Sequence, residues 1–210
     1  MAGRYAFLVD TYATETEKVL SVWSMAEDQD LDLRPRPGDR RGRTLREHMV
    51  HQCVSENGWF ESMLGIRVTG APLPPTETRA AFVQHYAEHA RQRLLALRAT
   101  DEPFWETVVP FFRVPRPRTW ILVRRIAHTA HHRGQQTALL RALGRPLHST
   151  YGPTADTGGL PANGPAVVYP YPDLPTLLQE EAGARRRQPL PPTTASSTAT
   201  AVTERPDPLP

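Results

Sequence analysis

The 210-residue sequence has little cysteine and no long apolar run: Cys53 is its single cysteine. One cysteine excludes an intrachain disulfide, which suits a reducing cytoplasm, and the apolar neighbours of Cys53 predict a small core residue rather than a nucleophile. A membrane-spanning helix needs about 18 or more apolar residues in succession, and no segment approaches that length. The N-terminal segment is interrupted by charge and lacks the apolar stretch of a signal peptide. We therefore expect a cytoplasmic protein with no membrane partner.

The sequence also lacks a strong excess of one charge, since its formal net charge is +3 at pH 7. Basic residues are scattered, apart from clusters at 34–46, 113–125 and 185–187. Nucleic-acid binding would need a basic face with a recognisable reading element, and none is found, so no nucleic-acid partner is expected. A mild positive excess can instead attract anionic small molecules. The expected partners are a small-molecule substrate and a second copy of the chain in a homodimer.

Apolar residues recur at helical spacing in four stretches, and there is no alternating β pattern of comparable length and no internal repeat. Thr44 and Glu47 form a capping box at the start of the second stretch, and Thr76 is the expected cap of the third. Helices of about 20 residues joined by loops predict an all-α fold, a four-helix bundle. The stretches run approximately over residues 5–25, 44–64, 76–99 and 118–143.

The remaining segments are predicted to be irregular. Four prolines make residues 101–117 a loop or a short extended segment, and residues 173–181 can form one short helix. The segment 185–210 is rich in Pro, Thr, Ala and Ser, and we expect it to be disordered and dispensable for folding. The predicted organisation is one domain over 1–184, with its bundle core at 5–143, followed by this tail.

Histidines are concentrated in the fourth helical stretch. His128 and His132 are four residues apart, so both side chains lie on one face of a helix, on the arc that carries the inward apolar residues. Two imidazoles placed in this way can share a divalent ion. The alternative is a pair of buried, hydrogen-bonded core histidines. A second pair with the same spacing, His85 and His89, lies largely outside its helix's apolar arc, so these two are predicted to be solvated.

A catalytic zinc-like site needs a third protein ligand and an open position. The second helix offers His48 and His51. By periodicity, His48 is nearer the inward arc of that helix, and His51 lies on its flank. Periodicity therefore favours His48, and spacing alone leaves the choice open.

The string His128-Thr-Ala-His131-His132-Arg-Gly-Gln135 resembles the signature of the DinB/YfiT-like superfamily of metal-binding four-helix bundles. The spacing of Thr44, His51, Glu56 and the aromatic pair Trp59-Phe60 is similar to the second-helix pattern of that family. The resemblance covers about residues 5–143 and implies a metal site of His51, His128 and His132, with His131 outside it. His48 is the alternative to His51 as the third ligand.

Several neighbours of the histidines have two plausible roles each. Gln135 could hydrogen-bond a ligand or form a core amide, and Glu56 could orient a histidine or pair with Arg125. Arg133 is expected to form a structural ion pair. Tyr151 and Asp156, in the loop 151–159, are candidate wall residues of a substrate pocket or parts of a structural cap.

The leading functional hypothesis is a metal-dependent enzyme that acts on a small molecule. The expected cofactor is a divalent transition metal, Zn²⁺ or Ni²⁺, since imidazole suits both. The resemblance implies thiol-dependent transfer or isomerisation, with a low-molecular-weight thiol, or hydrolysis. Thr129 stands where the zincin motif has its glutamate base, which argues against a metalloprotease. The alternative hypothesis is a non-catalytic, stress-associated metal-binding or interaction protein, and a third is a bundle whose histidines are only structural.

Overall fold

The structure is a computed structural model that describes residues 3–158 and 164–192. Four long helices form a bundle, as predicted. The first long helix packs against the third and the fourth long helices, and the second long helix packs against the fourth. No helix within the described residues is long and apolar enough to cross a membrane. In chain order the helices are α1 (Ala6–Ser24), α2 (Leu45–Trp59), α3 (Arg79–Arg98), the short α4 (Glu102–Glu106), α5 (Arg118–Ala142) and α6 (Leu174–Glu181). One π-helical turn, Phe60–Leu64, extends α2, and 3₁₀ turns occur at Asp28–Asp30 and Ala155–Thr157.

The helix ends follow local capping chemistry. The Thr44 hydroxyl accepts from the Glu47 amide (3.0 Å), and the Glu47 carboxylate accepts from the Thr44 amide (2.9 Å), which confirms the capping box. The cap of α3 is Thr78 rather than Thr76, so the predicted start of this helix was wrong by two residues. Both threonines are chemically suitable caps, and only the tertiary fold decides between them. Beyond α5, Gly144 adopts the left-handed conformation (φ 72°) that suits a helix C-terminus.

The proline-rich segment between α3 and α5 contains two strands. Strand β1 (Val108–Phe111) pairs antiparallel with β2 (Val114–Pro117), after the short helix α4. The prediction of a loop or extended segment therefore missed α4 and the pairing. Phe112 lies in the two-residue turn with φ 54°, a conformation that is unusual for an aromatic residue, and its side chain is exposed.

Two clusters of buried apolar side chains fill the bundle. One surrounds Trp23, and the other includes Tyr12 and Phe60. A buried polar group connects them, because the Glu56 carboxylate accepts hydrogen bonds from Tyr12 of one cluster and Tyr86 of the other. Each large apolar side chain buried in this way contributes roughly 1.5–3 kcal/mol to folding.

The segment after α6 lies against the bundle. The Arg185 guanidinium donates to the carbonyls of Ser24 (3.0 Å) and Ala26 (2.8 Å) and forms an ion pair with Glu27. The Gln188 amide donates to the carbonyl of Pro170 (2.8 Å). The prediction that disorder begins at residue 185 is therefore wrong for residues 185–192. The Arg185 guanidinium in this segment satisfies backbone carbonyls at the C-terminal end of α1. The rest of the predicted tail, 193–210, lies outside the described residues.

Candidate metal centre

Three histidines from two helices converge on one point between α2 and α5. His51, His128 and His132 each present one ring nitrogen, and these three nitrogens lie within 4.8 Å of one another. The Nε2 atoms of His128 and His132 are 3.2 Å apart, one helical turn from each other. The rings of His51 and His132 are 4.6 Å apart between centroids. The structure therefore brings together the three residues that the resemblance implied.

The environment keeps these rings neutral at pH 7. Burial lowers the pKa of His132 to about 3, although the hydrogen bond with Gln135 opposes this effect. Burial and the charge of Arg125 lower the pKa of His128 to about 4. The pKa of His51 is lowered by burial and by Arg43. A neutral imidazole keeps a lone pair available, which is the form that binds a metal ion.

Two residues beside the cluster orient its rings. The Nδ1–H of His132 donates to Oε1 of Gln135 (2.9 Å), which leaves the Nε2 lone pair directed toward His128. The indole of Trp59 stacks on the ring of His128, with centroids 5.6 Å apart and planes 24° apart. Gln135 is exposed and hydrogen-bonds His132 of its own helix, so it is not the core amide of the alternative.

His48 lies next to the three-histidine group but not in it. It is buried, and its ring centroid is 5.4 Å from that of His132. His131 is exposed and is also outside the group. The third member of the group is thus His51, which the resemblance indicated and periodicity alone did not. Both histidines of α2 approach α5. The imidazole of His51 reaches His132 although His51 lies on the half-buried flank of α2.

A cavity of about 480 Å³ opens beside the group on the side of His48. The loop between α1 and α2 supplies Pro35 and residues 41–43, and α5 supplies Gln135 and an apolar wall. Since Gln135 also holds His132, the cavity and the histidine group share a side chain. Arg41 and Arg43 of this cavity belong to the basic cluster at 34–46, and the sequence pattern of that cluster did not indicate that it lies beside the histidines.

Glu56 hydrogen-bonds no histidine in the part of the chain that the structure describes. Its carboxylate instead faces Arg125 and Arg93, each with a guanidinium nitrogen 3.2 Å from a carboxylate oxygen. The ion pair with Arg125, the alternative weighed for Glu56, is the one observed. Arg133 forms its expected structural ion pair, with Glu15.

Residues 151–158, the described part of the predicted loop, do not line the cavity beside the histidines. The Tyr151 hydroxyl donates to Glu15 (2.8 Å), and Asp156 accepts from the Leu147 amide (2.7 Å) and pairs with Arg141. These contacts fit the structural-cap alternative. Gly159, at the end of the predicted loop, lies outside the described residues.

The prediction that the second histidine pair, His85 and His89, is solvated was wrong. His89 is buried, and its Nδ1 lies 3.4 Å from the amide nitrogen of Asn57. His85 is half-buried, with Nε2 3.1 Å from the Pro72 carbonyl oxygen. The prediction failed because the Pro-rich loop before α3 covers this face, and the periodicity of α3 carries no information about that loop.

The sequence profile of the DinB family matches residues 17–159. The chain belongs to the DinB family. Among solved structures, the fold is similar to that of a DinB-like protein from Bacillus cereus, with a TM-score of 0.59 and 23% sequence identity. The match covers 70% of this chain and 95% of the other. No curated protein matches the chain significantly.

Proposed function

We propose that this DinB family member is a metal-dependent enzyme that acts on a small molecule. His51, His128 and His132 would hold one divalent transition metal, Zn²⁺ or Ni²⁺. The observation that carries the proposal is the convergence of three neutral ring nitrogens within 4.8 Å beside a cavity. Thiol-dependent transfer is the leading reaction class and hydrolysis the second.

The spacing of the nitrogens fits such an ion. Metal–nitrogen distances near 2.05 Å and tetrahedral angles put two ligand nitrogens about 3.3 Å apart. The Nε2 atoms of His128 and His132 are 3.2 Å apart, and Gln135 fixes the tautomer of His132 as residues behind metal ligands commonly do. Three ligands leave a position open, and an ion so held supplies Lewis-acid chemistry, lowering the pKa of a thiol or water that binds there.

The protein's own residues would bind and orient the substrate. Trp59 holds the ring plane of His128, and Gln135 holds that of His132, so neither ligand needs to reorganise when the substrate enters. The apolar wall formed by α5 would contact the substrate's carbon skeleton. The reactive group would lie at the histidine end of the cavity.

Metal analysis of protein purified without a histidine tag tests the site. We expect about one Zn²⁺ or Ni²⁺ per chain. Alanine at His51, His128 or His132 should weaken binding by more than the roughly 10–100-fold that the loss of a supporting residue costs. His131→Ala, on the same helix and exposed, is the matched control and should bind normally.

Two outcomes would contradict the assignment. Full metal content in His51→Ala together with loss in His48→Ala would make His48 the third ligand. Absence of metal from the folded wild-type chain, checked by circular dichroism, would leave the histidines structural.

Turnover tests the catalytic part of the proposal. The metal-loaded chain would be screened with small thiols and electrophiles, and with esters and amides. We expect a reaction that is lost in His51→Ala and retained in His131→Ala. Stoichiometric metal without any turnover would instead favour the non-catalytic metal-binding protein.

A further inference from the structure

The cavity beside the histidine group combines a positive charge, a buried imidazole and an apolar wall. Arg43 and His48 line the cavity, and Ala138, Leu139 and Ala142 of α5 supply the apolar surface. A volume of about 480 Å³ is enough for a small organic molecule.

The loop that carries Arg43 is fixed to the start of α2. Arg34 donates to the Gly42 carbonyl (2.5 Å) and to both carboxylate oxygens of Glu47 (2.6 and 3.0 Å). Gly42 also packs closely on Pro35, since a Cβ at position 42 would be 3.2 Å from Pro35 Cγ. The cavity wall is therefore held by specific contacts on both sides of residue 43.

Arg43 has no carboxylate partner in the described part of the chain. The nearby Glu47 is already held by Arg34, and the other cavity arginine, Arg41, is paired with Asp39 through two contacts of 2.9 and 2.8 Å. Burial lowers the pKa of His48 and of His51, and the positive charge of Arg43 lowers both further, so this charge acts on the histidine side of the cavity. The guanidinium is thus available to a ligand.

His48 supplies a second, independent indication of a ligand. Its side chain is only 6% exposed, and its Nδ1 has no hydrogen-bond partner among the described residues. A buried polar atom without a partner is destabilising, and such atoms are usually satisfied by another polar group. His48 lines the cavity, and a ligand oxygen there would accept a hydrogen bond from this ring when the ring turns Nδ1 toward the cavity.

We propose that the cavity binds the carboxylate of a small aliphatic acid, with Arg43 as its counter-charge and His48 as a hydrogen-bond donor. The planar guanidinium matches a carboxylate, and the wall of Ala138, Leu139 and Ala142 matches a short carbon chain. The inference rests on the proposed function in one respect: the acid is the substrate or the thiol of that reaction.

Butyrate and its neutral counterpart butyramide are the probes. Each would be titrated into metal-free and metal-loaded protein while the ring nitrogens of His48 are followed by NMR. We expect butyrate to shift the His48 signals and butyramide to bind at least about tenfold more weakly, since only the carboxylate makes a charge-assisted hydrogen bond.

Arg43→Gln should weaken butyrate binding about tenfold or more and leave metal content unchanged. Arg40→Gln is the matched control, because it makes the same charge change in the same loop outside the cavity, and it should have less than a twofold effect. Equal binding of butyrate and butyramide, or equal effects of the two substitutions, would overturn the inference. Metal content is read separately, so a chain that binds butyrate through Arg43 but no metal would refute the proposed function alone.

Discussion

We expect a substitution at Glu56 to lower the free energy of unfolding strongly. Its carboxylate accepts hydrogen bonds from Tyr12 (2.5 Å), Tyr86 (2.9 Å) and Arg93 (3.2 Å) and forms an ion pair with Arg125 (3.2 Å), and none of these groups is appreciably exposed. Burial raises the pKa of this carboxyl, but Arg125, Arg93 and the two tyrosine hydroxyls outweigh burial and lower it. The group is therefore ionised in the folded state and compensates two buried positive charges.

Glu56→Gln preserves shape but removes the charge. Each carboxylate oxygen accepts a hydrogen bond from one tyrosine hydroxyl and faces one guanidinium, so the amide NH₂ that replaces one oxygen must face two donors. A tyrosine hydroxyl can rotate to accept, whereas a guanidinium cannot. Each ion pair is worth on the order of 4 kcal/mol at an effective dielectric constant near 20, before desolvation is counted. Breaking a buried pair typically costs about 3–5 kcal/mol, and we expect a loss in that range.

Urea unfolding followed by tryptophan fluorescence measures this loss. With an m-value of about 2 kcal/mol per M, a loss of 4 kcal/mol moves the midpoint by about 2 M. Glu88→Gln is the control, because the Glu88–Arg91 pair (2.8 Å) is exposed and should contribute less than about 1 kcal/mol. If Glu56→Gln does not fold, Tyr86→Phe removes a single donor and should cost about 1–2 kcal/mol. A Glu56→Gln protein as stable as Glu88→Gln, or a Tyr86→Phe protein as stable as wild type, would refute the reasoning.

Two further predictions concern the chain's C-terminal segment and its response to acid. Arg185→Ala should lower the free energy of unfolding by about 1–3 kcal/mol, because it leaves the carbonyls at the end of α1 and Glu27 without their partner. Arg186→Ala is the control, because its guanidinium is largely exposed, and it should have a much smaller effect. Equal melting temperatures of the two variants would contradict this prediction. Burial, His85 and Arg93 lower the pKa of His89 from 6.5 to about 4, so the unfolded chain binds more protons between these values and stability falls as pH drops from 6.5 toward 4. His89→Gln should reduce that loss by on the order of 2 kcal/mol in urea titrations at pH 7 and pH 4.5, and an unchanged slope relative to an exposed-histidine control, His131→Gln, would count against it.

Local patterns were sufficient to predict the bundle and most of its ends. Periodicity gave the four long helices, and the Thr44–Glu47 spacing gave a capping box that the structure contains. The proximity of His128 and His132 follows from helix geometry, since residues four positions apart in a helix lie on the same face. These features depend on residues within a few positions of one another.

Features formed by distant segments could not be predicted in this way. The hairpin 108–117 depends on pairing across a turn, and prolines in it suggested a loop. Arg185 contacts Glu27 across 158 positions, and nothing in the sequence around residue 185 signals that contact. The burial of His89 and the cavity position of Arg43 likewise depend on loops that fold back over a helix, which helix periodicity does not describe.

Glu56 illustrates how a chemical argument from sequence can select a residue and leave its partner open. Its inward position suggested a carboxylate that orients a histidine or one that pairs with Arg125. In the structure it holds Arg125, whose guanidinium lies over the Trp59 ring at 5.5 Å, and Trp59 in turn stacks on His128. The Glu56 carboxylate is therefore connected to His128 through the Arg125 guanidinium and the Trp59 ring, and not through a direct hydrogen bond. A buried carboxylate is drawn to the strongest donors within reach, and two guanidinium groups are stronger partners than a neutral imidazole N–H.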